Sequence, residues 1–120
     1  MKCEKLEVWK KSARLAADVY KVFAGCKDFG FKDQITRSAL SIPSNIAEGM
    51  EKESRKERIR FLDIAKGSVA EFATQTYIAM DIGYIEKPLG REWIETSDHL
   101  LRMLTNLKTT LKSDGDAKKS

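Results

Sequence analysis

Ile35, Ala39, Ile42, Ile46 and Met50 recur at spacings of four and three, and the recurrence passes through Pro43 without losing phase. A period of that kind commits a stretch to an α-helix with one apolar side. Proline removes an amide donor and crowds the carbonyl four residues earlier, here that of Ala39, and it disfavours helix at the residue before it. Two short helices broken at Pro43 would satisfy proline, but only one continuous helix keeps the seam in register. The spacing therefore predicts a single bent helix over about Phe31–Met50, with Leu40, Pro43 and Ala47 widening its apolar side. Arg37, Ser41, Ser44 and Glu48 form a polar stripe expected to face away from the core.

A helix with one apolar side cannot bury it alone, so the rest of the chain has to supply partners. Lys5 to Ala24 offers Val8, Trp9, Leu15, Ala16, Val19, Tyr20 and Phe23 on one face. Gly25 to Gly30 makes the first connection, with Phe29 and Phe31 expected to fold back onto the core. Ser54-Arg55-Lys56-Glu57 fits a capping box that opens a third helix, about Ser54–Gly83, with a seam from Phe61/Leu62 through Ala65, Val69, Phe72, Thr76 and Ala79/Met80 to Gly83. A second stripe on that helix holds Ile64, Ser68, Glu71, Gln75, Ile78 and Ile82. Two partly apolar stripes imply two neighbours, or one neighbour and a partner subunit, and Ile64, Ile78 and Ile82 are the candidate subunit interface. Tyr84 to Gly90, with Pro88 and Gly90, reads as a turn before a last helix of about Arg91–Lys112.

The expected fold is an all-α, antiparallel up-down four-helix bundle over residues 1–112, with 113–120 as a disordered tail. The low count of 7 Gly and 2 Pro and the charged content of 33% agree with solvated helices around one core. No apolar run approaches the roughly 20 residues needed to cross a bilayer, and the charged start Met1-Lys2-Cys3-Glu4-Lys5 lacks an export signal, so a cytoplasmic location is expected.

The chemistry a catalyst needs is sparse. His99 is the sole histidine and falls on the polar side of the last helix, where an exposed and inert role is expected; no metal site can be assembled from it. Cys3 and Cys26 do not form a Cys-x-x-Cys pair and read as reduced thiols. No Glu-x-x-His motif for a di-iron bundle is present, nor a glycine-rich phosphate loop. Ser41 and Ser44 lack a nearby base. An enzyme would need Glu48, Asn45 and Arg37 gathered in one pocket. The expectation is a non-enzyme with no cofactor.

The net charge of +4 is mild, but the basic residues cluster. Lys10, Lys11, Arg14 and Lys21 lie on the outer side of the first helix. Lys52, Arg55, Lys56, Arg58 and Arg60 gather at the start of the third, interspersed with Glu51, Glu53 and Glu57. Aromatic residues are not interleaved with either cluster, so any nucleic-acid contact would be with phosphates and sensitive to salt.

Val8-Trp9, Phe29-Gly30-Phe31, Gln34, Arg37, Ser41-Ile42-Pro43-Ser44-Asn45-Ile46-Ala47-Glu48-Gly49 and Phe61-Leu62-Asp63-Ile64-Ala65-Lys66-Gly67-Ser68 follow one another in a familiar order. From about Leu6 to Leu111 the chain resembles the 23S rRNA intervening sequence proteins, also labelled S23. The resemblance implies a four-helix bundle assembled as a homopentamer, and five copies would carry about +20. It is also similar to the accessory variability determinant of diversity-generating retroelements, which works with a reverse transcriptase and nucleic acid. The resemblance brings no catalytic residues. Family members often have a second basic residue where this chain has Thr36, and Gly-Arg where it has Met50-Glu51-Lys52, so positive charge is thinner here. The resulting expectation is RNA or DNA backbone contact through Lys10, Arg14, Arg37, Arg55, Lys56, Arg58 and Arg60. The alternative is a scaffold for a protein partner. No membrane partner is expected.

Overall fold

A computed structural model describes the backbone of residues 1–119 and the side chains of residues 1–114. Four helices follow one another: α1 (Glu7–Phe23), α2 (Phe29–Met50), α3 (Arg55–Asp81) and α4 (Lys87–Lys119). No strand occurs among the described residues. Each helix packs against its neighbours in the chain, and α1 also meets α4, closing a four-sided bundle; the diagonal pairs do not approach. Ser38 meets Gln75 and Ser41 meets Ser68, so α2 and α3 run antiparallel. The body is a rod of 55 × 22 × 21 Å. One end, here the basal end, holds the start of α1 and the α2–α3 link. The clasp end holds the α1–α2 and α3–α4 links.

The core is the predicted seams brought together: Val19 and Phe23, Ile35, Ile42 and Ile46, Leu62, Val69 and Phe72, and Trp93, Leu100 and Leu104. Fully burying an aliphatic or aromatic side chain of this size contributes about 1.5–3 kcal/mol. Trp93 lies 5.7 Å from Phe72 and 6.2 Å from Phe23, centroid to centroid, and so ties α4 to both α3 and α1. The buried hydroxyls of Ser12, Thr36, Thr76 and Ser97 each donate to a carbonyl one turn back in their own helix. Among the described residues no buried side-chain polar atom lacks a partner, so the interior holds no polar group waiting for a ligand.

α2 is one helix through Pro43, as the phase of the seam required. Its start differs from the expectation. Asp28 caps it by accepting from the Phe31 amide at 3.1 Å, which begins the helix at Phe29. Phe29 then points outward, 71% exposed, rather than folding onto the core; only Phe31 does so, against Phe23 and Tyr84. Ser54 caps α3 through the Glu57 amide at 3.0 Å, but the Glu57 carboxylate turns to Arg60 instead of back to Ser54. Half of the expected capping box is therefore formed.

α3 ends in a Schellman motif. Gly83 takes φ +77°, its amide donates to the Met80 carbonyl, and the Tyr84 amide reaches the Ala79 carbonyl at 2.8 Å. α4 starts four residues before the expected Arg91, at Lys87. Pro88 had marked a turn, but in the first helical turn its missing amide costs nothing. Gly90 is buried there because a Cβ would run into the Met80 side chain. At its other end α4 is helical to Lys119, past the expected helix end at Lys112; Ser120 lies outside the described residues. Each residue added to an existing helix closes another backbone hydrogen bond, so helix propagates beyond Leu111, the last packed apolar side chain.

Candidate functional site

The outer face shared by α2 and α3 is unlike the others. Its floor is polar and its rim apolar. Ser41 Oγ lies 2.6 Å from Ser68 Oγ, Ser38 donates to Gln75, and the Asn45 amide donates to the Ser41 carbonyl at 2.8 Å. This corrects the sequence expectation for Ser41. Ser41 leaves the solvent stripe with Arg37, Ser44 and Glu48 because the α2–α3 crossing turns it onto Ser68. Around this floor Ile64, Ile78 and Ile82 of α3 are 39%, 44% and 51% exposed. The three candidate interface residues thus share one uncovered face of α3 beside Ser68 and Gln75.

The opposite face, between α1 and α4, is basic toward the basal end. Lys10, Lys11 and Arg14 line a cavity of about 580 Å³ with Glu7, His99 and Met103. A second, of about 340 Å³, shares Lys11 and His99 and adds Glu92, Glu95, Thr96 and Arg102. His99 is half-buried in this groove instead of exposed, because α1 folds over the side of α4 that the sequence left polar. Lys10 sits 3.4 Å from Glu7, an exposed pairing that contributes at most about 1 kcal/mol.

The remaining candidate cations divide into two kinds. Arg37 is exposed on α2 and held by Asp33 at 3.2 Å. Arg58 donates to the Lys52 carbonyl at 2.6 Å and pins the α2–α3 link, while Arg60 bonds Glu57 and lies over the Phe61 ring with Lys52 on the same ring. Both are engaged inside the subunit. Arg55 and Lys56, by contrast, line an open cavity of about 390 Å³ with Ile59 and Lys112. The sequence treated Lys112 only as a helix end; nothing local to it indicates that α4 would return beside Arg55.

Charge is segregated along the rod. The basal half, residues 1–15, 40–68 and 99–114, holds fourteen Lys and Arg against eight Asp and Glu, a net +6. The clasp half, residues 16–39 and 69–98, holds six against nine, a net −3. The last six residues add one positive charge, which recovers the chain's +4.

The clasp half carries a close ionisable pair. Tyr84 donates its hydroxyl to Asp28 at 2.6 Å, joining the α1–α2 and α3–α4 links. That hydrogen bond, helped by the Phe31 amide, holds the Asp28 carboxyl below its ordinary value of 3.8. The same bond pushes the Tyr84 hydroxyl above 10. At the basal end Cys3 is buried, and burial pushes its thiol up; Cys3 and Cys26 are both free. Among the described residues no group of three or more His, Cys, Asp or Glu side chains is placed to hold a metal ion, and no helix is long and apolar enough to cross a membrane. Asn45 is tied to Ser41 and Arg37 to Asp33, so these residues do not converge with Glu48 on a catalytic pocket.

Comparison with known proteins gives the arrangement a family. A crystal structure of a protein of unknown function from the S23 ribosomal protein family of Bacteroides thetaiotaomicron superimposes with a TM-score of 0.79. The two are 27% identical, and the match covers 84% of this chain and 97% of that one. No curated protein matches. The family described as 23S rRNA-intervening sequence protein matches residues 4–106, which takes in α1, α2, α3 and most of α4. The chain belongs to the 23S rRNA-intervening sequence protein family.

Proposed function

We propose that the protein is a non-enzymatic, self-associating bundle that contacts RNA or DNA backbones through the basic surface of its basal half. The observation that carries this reading is the axial charge separation, +6 against −3 within one rod. A polyanion responds to local potential, and a surface of this kind attracts it where the chain's mild overall excess would not. Lys10 and Arg14 on one side and Arg55 and Lys56 on another line open cavities of that half. Arg37, Arg58 and Arg60 complete the candidate set, the last two shaping the surface more than offering free charge.

Self-association places the uncovered α2–α3 face against a second copy. That face is opposite the α1–α4 groove in the ring of helices, so covering it leaves Lys10 and Arg14 open. A homopentamer is the assembly the family resemblance implies, and five basal ends on one side would add their potentials. The same apolar rim supports the alternative, a scaffold for a different protein, since Ile64, Ile78 and Ile82 would serve either partner.

A filter-binding titration against structured RNA at two salt concentrations tests the reading. Binding at low salt that weakens steeply with added salt is expected. No binding at low salt, combined with recovery of a protein partner after nuclease treatment, would leave the scaffold in its place.

A further inference from the structure

We infer that the cavity between the first turn of α3 and the end of α4 seats a backbone phosphate of a single-stranded nucleic acid, held by Arg55, Lys56 and Lys112. This rests on the nucleic-acid reading above and gives it a place and a strand type. Every residue lining the cavity is a cation except Ile59. Four cations elsewhere are matched by a carboxylate: Lys10 by Glu7, Arg37 by Asp33, Arg60 by Glu57 and Lys108 by Asp63. Among the described residues none of Arg55, Lys56 and Lys112 has a carboxylate within ion-pair distance. Three like charges around one concavity, with no ion-pair partner among the described residues, repel each other, and an anion between them relieves that repulsion. Arg55 supplies a planar fork for two phosphate oxygens, and the lysines supply compact point charges.

Shape chooses the strand. The volume of about 390 Å³ exceeds a lone phosphate and leaves room for the attached sugar over half-buried Ile59. A flexible single strand can turn one phosphate into such a recess. The phosphates of a duplex are fixed along a stiff rod and meet a surface rather than enter it.

The test is a salt titration of a labelled single-stranded oligonucleotide by fluorescence anisotropy, with wild-type protein, the double variant Lys56→Gln/Lys112→Gln, and a control, Lys27→Gln/Lys87→Gln. All four lysines are exposed, so folding is not at stake, and the control removes the same charge from the clasp end. Each phosphate contact to a single strand contributes about 0.7 to the slope of log affinity against log salt. The slope of the Lys56/Lys112 variant should fall by about 0.7, for the one phosphate seated, while the control keeps the wild-type slope. Equal slopes in both variants, with wild-type binding intact, overturn the seat and leave the broader reading standing. Absence of wild-type binding at low salt removes both. Displacement of the strand by equimolar adenosine monophosphate, or the same slope loss on a duplex, overturns the assignment to a single strand.

Discussion

At the scale of single residues, two glycines in helices face opposite circumstances. A Cβ on Gly49 would stand 2.8 Å from the Cβ of Phe61 and 3.4 Å from the Arg58 carbonyl, both on α3. A Cβ on Gly67, in the middle of α3, would meet nothing within 4 Å. Gly67→Ala should therefore stabilise by about 0.5–1 kcal/mol through helix propensity alone. Gly49→Ala gains the same propensity but forces two backbones apart, and a net loss of about 1–2 kcal/mol is expected. Thermal melts of the two variants should move in opposite directions. Asp28 makes a second test. Its carboxyl is depressed in the folded state, so its contribution is present above about pH 4 and is lost as pH falls through the depressed folded value. Tyr84 is raised, so its share is present below about pH 10 and lost above it. Asp28→Asn should lower the urea midpoint at pH 7, and the gap from wild type should close as the pH is taken below the carboxylate range.

At the scale of elements, the helices were legible and their ends were less so. The seam through Pro43 predicted a continuous α2, and Ser54 marked the start of α3. Asp28 as a cap went unread because the two glycines and Phe29 around it suggested a loop, and a cap is defined by where the amide of Phe31 points. Pro88 and Gly90 went unread because residues that end helices also suit a first turn or a close helix crossing. Ser54→Ala removes the acceptor for the Glu57 amide and should cost about 1 kcal/mol, with no compensation from Glu57, which is bonded to Arg60. A chemical denaturation midpoint measures this directly.

At the scale of the whole molecule, the packing of α2 on α3 leaves Ile64, Ile78 and Ile82 on one uncovered face. Light scattering should find an assembly larger than one chain, and Ile78→Asp should return it to the monomer with its helical circular dichroism kept, since Ile78 takes no part in the core. A wild-type monomer would remove the self-association reading without touching the fold. The same scale decides the candidate site. Lys10 and Arg14 were recognisable as a basic cluster from the sequence, but their company with His99 depends on α1 lying against α4. Lys112 joined Arg55 and Lys56 only because antiparallel packing brings the end of one helix to the start of another.

What the sequence determined by itself is what periodicity and local propensity can encode: four helices, the continuity of α2, the core seams and the family signature from Ser41 to Gly49. These depend on residues three or four apart, and the information is local. Where Ser41 points, which cations share a cavity and how +4 divides into a positive and a negative half depend on pairs separated by tens of residues. Only the antiparallel crossing of the helices fixes those distances. Hydrophobic burial, which drives that crossing, has no direction and records no partner in the sequence.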